Sequence, residues 1–389
     1  MLNKKTLYGL NLSVFMMMLG VGMISSLLPH RVLSLTGANF AVSYITSAFA
    51  VSYIILQIPI GTLSDRYGFK LFLVAGYLMC CAAGMVYYFS DRAALIFVGR
   101  IVQGAGEAPV WALAPALLSI KFPDAKGKVM GIYNAVLHSG LMFGPILGIA
   151  VLKFCTESTA FLLYAVGCLT GAVIIYCLVD RADSSNNAGK ETISIKHIVM
   201  LASDRTIFAA LSGITLYGAG YGLFLTVIPA FLLSTKGCSQ LFVQVIFSLF
   251  YAAISLSQAI TGPLSDKFGR EWFMVLGLAV AALGIGIFPN LDTPMISVLL
   301  TVAGLGLGIF YISSMTFLNN TAPNSLKGTI SGAYYLFWGI GYFAGPLIIG
   351  KISEIMGSNT GFYAFSCLLV IEVILLTSTS INRLKKTIS

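Results

Sequence analysis

Arg100, Gln103, Gly104, Glu107 and Trp111 follow one another at i, i+3, i+4, i+7 and i+11, the spacing that puts them on one face of an α-helix. The run around them, from about residue 94 to 120, is mostly apolar. A stripe holding a cation, an amide, an acid and an indole does not face lipid cheaply, because a charge at mid-bilayer costs about 3 kcal/mol or more. It is expected to face an aqueous cavity or another helix. An acid in such a setting exchanges a proton for a cationic ligand, which makes Glu107 the first candidate for a proton and substrate site. Arg100 lies about 10 Å from it along the helix axis, by rise per residue. The competing reading is a structural Arg and Glu that hydrogen-bond neighbouring helices.

Three further titratable groups fall in apolar runs. His138 stands one turn after Asn134 and reads either as a coupling residue or as a satisfied core histidine. Glu372 sits near the middle of the last apolar run and reads as a buried structural acid. His30, between Pro29 and Arg31, reads as an interface anchor or outer gate. Aromatic side chains add a second kind of chemistry. Tyr217, Tyr221 and Phe224 fall at i, i+4 and i+7, and Phe310 and Tyr311 follow the run GLGLG. Such rings bind flat or cationic organic molecules by stacking and cation–π contact, or else pack helices together.

The elements that position these residues follow from composition. Of 389 residues 58% are hydrophobic and 10% charged, against roughly 25% charged in an ordinary soluble domain. So little charge excludes most soluble folds. A net charge of +9 without a basic stripe or interleaved aromatics argues against a nucleic-acid partner. Runs of about 20 apolar residues suit membrane helices, and twelve are found. They cover about 7–33, 41–63, 71–90, 94–120, 127–153 and 158–179, then 206–235, 240–264, 273–290, 294–320, 328–352 and 359–381.

Position explains the charge. Seventeen of the 23 Lys and Arg fall on the side of the N-terminus, five (Arg31, Arg92, Lys153, Lys236 and Lys351) on the other, and Arg100 lies within a span. The positive-inside rule then places both termini in the cytoplasm. A hydrophilic linker over 180–204 separates an N-terminal six-helix bundle, 1–179, from a C-terminal one, 205–389. Residues 193–201, with His197, suit a short amphipathic helix on the membrane. The seven cysteines lack metal spacing and read as small apolar residues.

The two halves repeat each other. Gln57, Gly61, Leu63, Ser64, Asp65 and Gly68 recur 201 positions later as Gln258, Gly262, Leu264, Ser265, Asp266 and Gly269. Gly131, Tyr133, Gly140, Gly144 and Pro145 recur at the same offset as Gly332, Tyr334, Gly341, Gly345 and Pro346. Two matches at one offset argue for duplication of a six-helix unit, with the copies related by a two-fold axis along the membrane normal. Gly140, Gly144 and Gly148 share one helix face, a helix-packing pattern in any membrane protein, and Pro145 adds a bend. Ile349 stands where the repeat would place the last of these glycines.

These motifs resemble those of the major facilitator superfamily. GTLSDRYGFK at 61–70 and GPLSDKFGRE at 262–271 resemble its motif A, and Arg100, Gln103, Gly104 and Gly106 resemble RxxQGxG. Gly140, Gly144, Pro145 and Gly148 are similar to GxxxGPxxG of the drug:proton antiporter branch. The resemblance implies an all-α integral membrane protein of two six-helix bundles, working by alternating access as a monomer in the plasma membrane. It implies no cofactor, a proton gradient as energy source, and small organic molecules as exported substrates. Gly61, Asp65, Arg66, Gly68, Asp266 and Lys267 would then act in gating, as would the glycines and proline of the fifth span. A proton symporter or facilitator for uptake uses the same fold, and a membrane receptor is a more distant reading. HExxH is absent and no GxxxxGK is followed by Ser or Thr, which argues against an enzyme.

Overall fold

The computed structural model describes residues 2–122, 126–180, 203–321 and 327–388. The segment 193–201 lies outside them, and of Gly61, Asp65, Arg66 and Asp266 only the helical backbone is described. All regular structure among the described residues is helical. The first half holds α1 (Leu2–Ser25), α2 (Leu28–Thr36), α3 (Asn39–Val42), α4 (Tyr44–Tyr67), α5 (Phe69–Phe89), α6 (Ala93–Lys121), α7 (Lys126–Phe154) and α8 (Glu157–Leu178). The second holds α9 (Arg205–Leu225), α10 (Val227–Ser234), α11 (Gln240–Phe268), α12 (Arg270–Ile287), α13 (Thr293–Thr321), α14 (Lys327–Met356) and α15 (Thr360–Ile388).

Eleven stretches among the described residues are long and apolar enough to cross a membrane. They match every predicted span except the fourth. That one, α6, has ample length at 29 residues, but Arg100, Gln103, Glu107, Pro109 and Pro115 dilute its apolar content.

The first and seventh spans, predicted as continuous, are each two helices. The first breaks at Ser26 and Leu27, just before Pro29, and the seventh breaks at Thr226, just before Pro229. Proline lacks the N–H a helix interior needs and disfavours helical backbone in the residue before it. Hydroxyls occupy both breaks: Ser26 Oγ donates to Met23 O over 3.0 Å, and Thr226 Oγ1 to Gly222 O over 2.7 Å. These two spans are also deeply buried, with 78% and 83% of their most apolar windows buried against 33–50% in the other nine of the eleven.

The helices pack into two compact units, 2–180 with Ser239–Ser248, and 203–238 with Leu249 onward. In the first unit α1 packs on α7 and α8, α5 on α8 and α6, and α6 on α4. The second unit repeats those pairings: α9 packs on α14 and α15, and α12 on α15 and α13. The fifth pairing recurs where Gly304 and Gly308 of α13 admit Phe250, Ile254 and Ser257 of α11. The duplication in sequence is thus a duplication of interfaces. At one end of the first unit, α2 is tied down twice. His30 Nδ1 lies 2.5 Å from Glu157 Oε1 at the start of α8, and Arg31 Nη2 donates to Ser90 O over 3.0 Å.

Candidate functional site

The stripe on α6 is a closed chain of hydrogen bonds. Arg100 Nη1 donates to Gln103 Oε1 over 2.9 Å, Gln103 Nε2 to Glu107 Oε1 over 2.8 Å, and Trp111 Nε1 to Glu107 Oε2 over 3.1 Å. Tyr87 of α5 donates to the same Gln103 Oε1 over 2.7 Å. The amide orientation follows from its partners, since the guanidinium only donates and only the carbonyl oxygen of Gln103 accepts. Its NH2 is therefore left for Glu107. Gln103 thus bridges the distance of about 10 Å along the helix axis between Arg100 and Glu107.

Of the two surroundings expected for this stripe, the structure provides neighbouring helices. Arg100, Gln103 and Glu107 are 4%, 0% and 4% exposed, while Trp111 is half-buried. Arg100 Nε donates to Ile45 O over 3.0 Å, and its guanidinium carbon lies 4.7 Å from the centre of the Phe49 ring. Both partners belong to α4, one turn apart. Close packing is what seals the chain. A side chain at Gly104 would collide with Phe49 O and Ser52 Oγ, and one at Gly106 would lie 2.6 Å from Gly76 O on α5. Residues that carry no chemistry thus bring α4 and α5 against those that do.

This arrangement has a definite response to protonation. Both oxygens of Glu107 accept from groups that can only donate. Protonating one oxygen removes the charge and one of the lone pairs that these bonds draw on, so the bonds from Gln103 and Trp111 weaken. Gln103 also accepts from Arg100, itself bonded to α4, and from Tyr87 of α5, so the change is felt at both neighbouring helices.

The second unit gathers the aromatic residues. Tyr217 lies 6.3 Å from Tyr221, 6.3 Å from Phe310 and 5.6 Å from Tyr311, by ring centroids. Tyr221 also meets Trp338 at 6.0 Å, Tyr251 at 6.3 Å and Tyr342 at 6.3 Å, and Phe224 stacks on Phe250. Trp338 stacks on Tyr342 at 4.9 Å, and Tyr311 meets Tyr334 at 6.0 Å. Tyr217 is buried, whereas Tyr221, Tyr311 and Trp338 keep part of their surface open. The share of α14 was not predicted, although Tyr334, Trp338 and Tyr342 stand four residues apart and so share one face. Tyr87 and Tyr251 gave no such signal.

His138 and Glu372 belong to neither the chain on α6 nor the ring contacts, although Glu372 lies near Phe310 at the edge of the aromatic group. His138 is half-buried, with Nδ1 2.8 Å from Asn134 O. A carbonyl only accepts, so Nδ1 carries the proton of this bond and Nε2 remains as an acceptor in the neutral ring. Glu372 is 5% exposed, with both carboxyl oxygens 3.0 Å from Ser212 Oγ of α9.

The remaining motif residues shape the helices. Gly68 and Gly269 adopt φ values of 87° and 97°, each ending one long helix and starting the next. Their amides donate to Ser64 O and Ser265 O over 2.8 and 3.0 Å. Lys267 is exposed, with Nζ 5.3 Å from the Phe268 ring centre. Gly140 and Gly144 of α7 face α1, where side chains would meet Phe15 O and Leu19 O. Gly341 and Gly345 of α14 face α9 in the same way, against Thr215 O and Ala219. Pro145 lies inside α7 and Pro346 inside α14. At Gly148 a side chain would meet only side chains, at 3.2 Å or more.

Two matching sets of long apolar helices, with polar residues sealed among them and open aromatic faces, define a membrane transporter. Comparison with known proteins agrees. The model of the Major Facilitator Superfamily matches residues 10–241 and 210–386, and the chain belongs to that family. An uncharacterised MFS-type transporter of Methanocaldococcus jannaschii is 25% identical over 398 residues, covering 98% of this chain and 99% of the relative. The chromaffin granule amine transporter of Rattus norvegicus is 22% identical over 326 residues, covering 82% of this chain and 62% of the relative. A crystal structure of a mutant nucleoside transporter NupG shares the fold with a TM-score of 0.81, at 14% identity over 96% of this chain and 99% of that one.

Proposed function

We propose that this transporter is a proton-coupled exporter of small organic molecules, organic cations foremost, acting as a monomer in the plasma membrane with both termini in the cytoplasm. The observation that carries this reading is the position of Glu107, whose two oxygens accept from Gln103 and Trp111, bonds that weaken when the carboxylate gains a proton. Proton binding is thereby tied to the packing of three helices. In the proposed cycle Glu107 is ionised while substrate is bound from the cytoplasm, and its protonation from outside drives release. Arg100 and Gln103 hold the carboxylate in place, His138 relays protons through its free Nε2, and Asp65, Arg66, Asp266 and Lys267 latch helix ends that part during the cycle.

Substrate class is read from the aromatic faces. Tyr217, Tyr221 and Tyr311 lie among other rings, and no described Lys or Arg stacks on them. Ring faces without a competing cation attract an organic cation by its quadrupole interaction, worth about 0.5–2 kcal/mol per ring. The likeness to an amine transporter and the antiporter-type glycines of α7 support the same direction. In proteoliposomes with an imposed pH gradient, Glu107→Gln is expected to abolish gradient-driven movement of a fluorescent organic cation while the protein still folds. Unchanged gradient-driven export by that variant would sink the assignment, and protons moving in the same direction as substrate would identify symport instead.

A further inference from the structure

We propose that Glu372 and Ser212 form a second proton-carrying site, in the second unit, that acts on the aromatic group through Phe310. This inference rests on the proton-coupled reading above and adds a carrier to it.

The case begins with a count of protons. A serine hydroxyl has one proton to donate and two lone pairs that accept. Ser212 Oγ lies 3.0 Å from each oxygen of Glu372 and 3.1 Å from Ala209 O, one turn earlier on α9. With Glu372 ionised, the hydroxyl proton points at the carboxylate. With Glu372 protonated, its O–H donates to Ser212 Oγ, and the hydroxyl proton turns to Ala209 O. Both states keep their hydrogen bonds, and the change between them is rotation about one bond. Glu107 differs, since the groups bonded to it, the Gln103 NH2 and the Trp111 N–H, offer a carboxyl proton no acceptor. The pair on α9 and α15 has a partner for the proton in both states, whereas the chain on α6 weakens when it gains one.

The surroundings leave the proton as the means of neutralising this acid. The helices packed on α15 are α12, α9 and α14. Their described charged residues are Arg205, Arg270, Glu271, Lys351 and Glu354, and their tyrosines include Tyr217, Tyr334, Tyr335 and Tyr342. Tyr363 and Cys367 lie on α15 itself. Among the described residues the hydrogen bonds that reach the carboxyl come from Ser212. No described Lys or Arg pairs with Glu372.

Contact with the aromatic group runs through the next residue of α9. A side chain at Gly213 would stand 2.8 Å from Phe310 Cζ and 3.4 Å from Glu372 Oε1. Glycine here lets the Phe310 ring and the carboxyl meet over one backbone position. Phe310 lies 6.3 Å from Tyr217, which lies 5.6 Å from Tyr311. The acid therefore sits one ring behind tyrosines assigned to substrate, and α9 carries Ser212, Tyr217 and Tyr221 together.

Infrared difference spectroscopy of the purified protein in lipid, titrated with pH, tests the site without any substrate. A carboxylic acid carbonyl band that titrates in the wild type is expected to vanish in Glu372→Gln and to shift its midpoint in Ser212→Ala, which keeps the acid if the first variant does not fold. The same titrating band in all three proteins would overturn the proposal. Ethidium movement under an imposed pH gradient then tests coupling, with at least a tenfold lower rate expected in Glu372→Gln and recovery in Glu372→Asp. Equal rates in wild type and Glu372→Gln would overturn this inference alone. Wild-type ethidium movement that ignores the gradient would overturn the proton-coupled reading and the coupling role of the pair with it.

Discussion

Tyr87 on α5 donates its hydroxyl to Gln103 on α6 across 2.7 Å, joining Arg100 on the amide oxygen. Because the guanidinium only donates, the oxygen faces it and Gln103 turns its N–H groups to Glu107. The carboxylate is therefore held by a residue that does not titrate and that is itself bonded from a different helix.

Gln103→Leu is expected to leave a guanidinium, a phenol and a carboxylate each short of one partner in a sealed site. Unpartnered buried polar groups cost about 1–3 kcal/mol each, so the loss should be several kcal/mol. Thermal unfolding of the purified protein would show it as a large fall in Tm, and Tyr87→Phe, which removes one donor of two, as a smaller one.

Gly341→Ala should force α14 away from α9, because the added methyl collides with Thr215 O. Overpacking of this kind costs about 1–3 kcal/mol. Gly148→Ala meets only side chains that can shift and should be close to neutral in the same thermal assay.

Gly68→Ala places a side chain on a backbone with φ of 87°, at a cost of about 1 kcal/mol or more. Nothing lies within 4 Å of the added methyl, so the penalty is conformational. The variant should lower Tm modestly, and Gly269→Ala should do the same at the matching turn of the second unit.

Trp338→Ala should weaken binding of an organic cation about tenfold, the equivalent of about 1.4 kcal/mol, because it removes a partly open ring beside Tyr221. Trp338→Phe retains a ring face and should recover much of the affinity. Equilibrium binding of ethidium to the purified variants provides the measure.

The architecture was largely legible in the sequence because lipid imposes it: apolar runs of fixed length and an offset of 201 residues give twelve spans and their duplication. The breaks at Ser26 and Thr226 were not, since a hydrophobic run reads the same whether its backbone is continuous or interrupted, although Pro29 and Pro229 mark both places. On α6 the helical spacing put Arg100, Gln103, Glu107 and Trp111 on one face, where the structure bonds them in a row. It gave neither the bridging role of Gln103 nor the side the stripe faces, because those depend on Tyr87, Ile45 and Phe49 from helices distant in sequence. Glu372 was legible as a buried acid, but its partner Ser212 stands 160 residues away in a run with many hydroxyls.

The matched pairings of the two units bear on how the protein is made. The five principal interfaces of the first unit lie within residues 2–178, so those helix pairs have their partners once α8 leaves the ribosome, before Ser239–Ser248 joins the unit. Domains fold as units, N-terminal first, at synthesis rates of about 5–20 residues per second. The buried charges of α6 thus find Tyr87, Ile45 and Phe49 while the second half is still being translated, and Arg100 and Glu107 need not wait in lipid for partners from the rest of the chain.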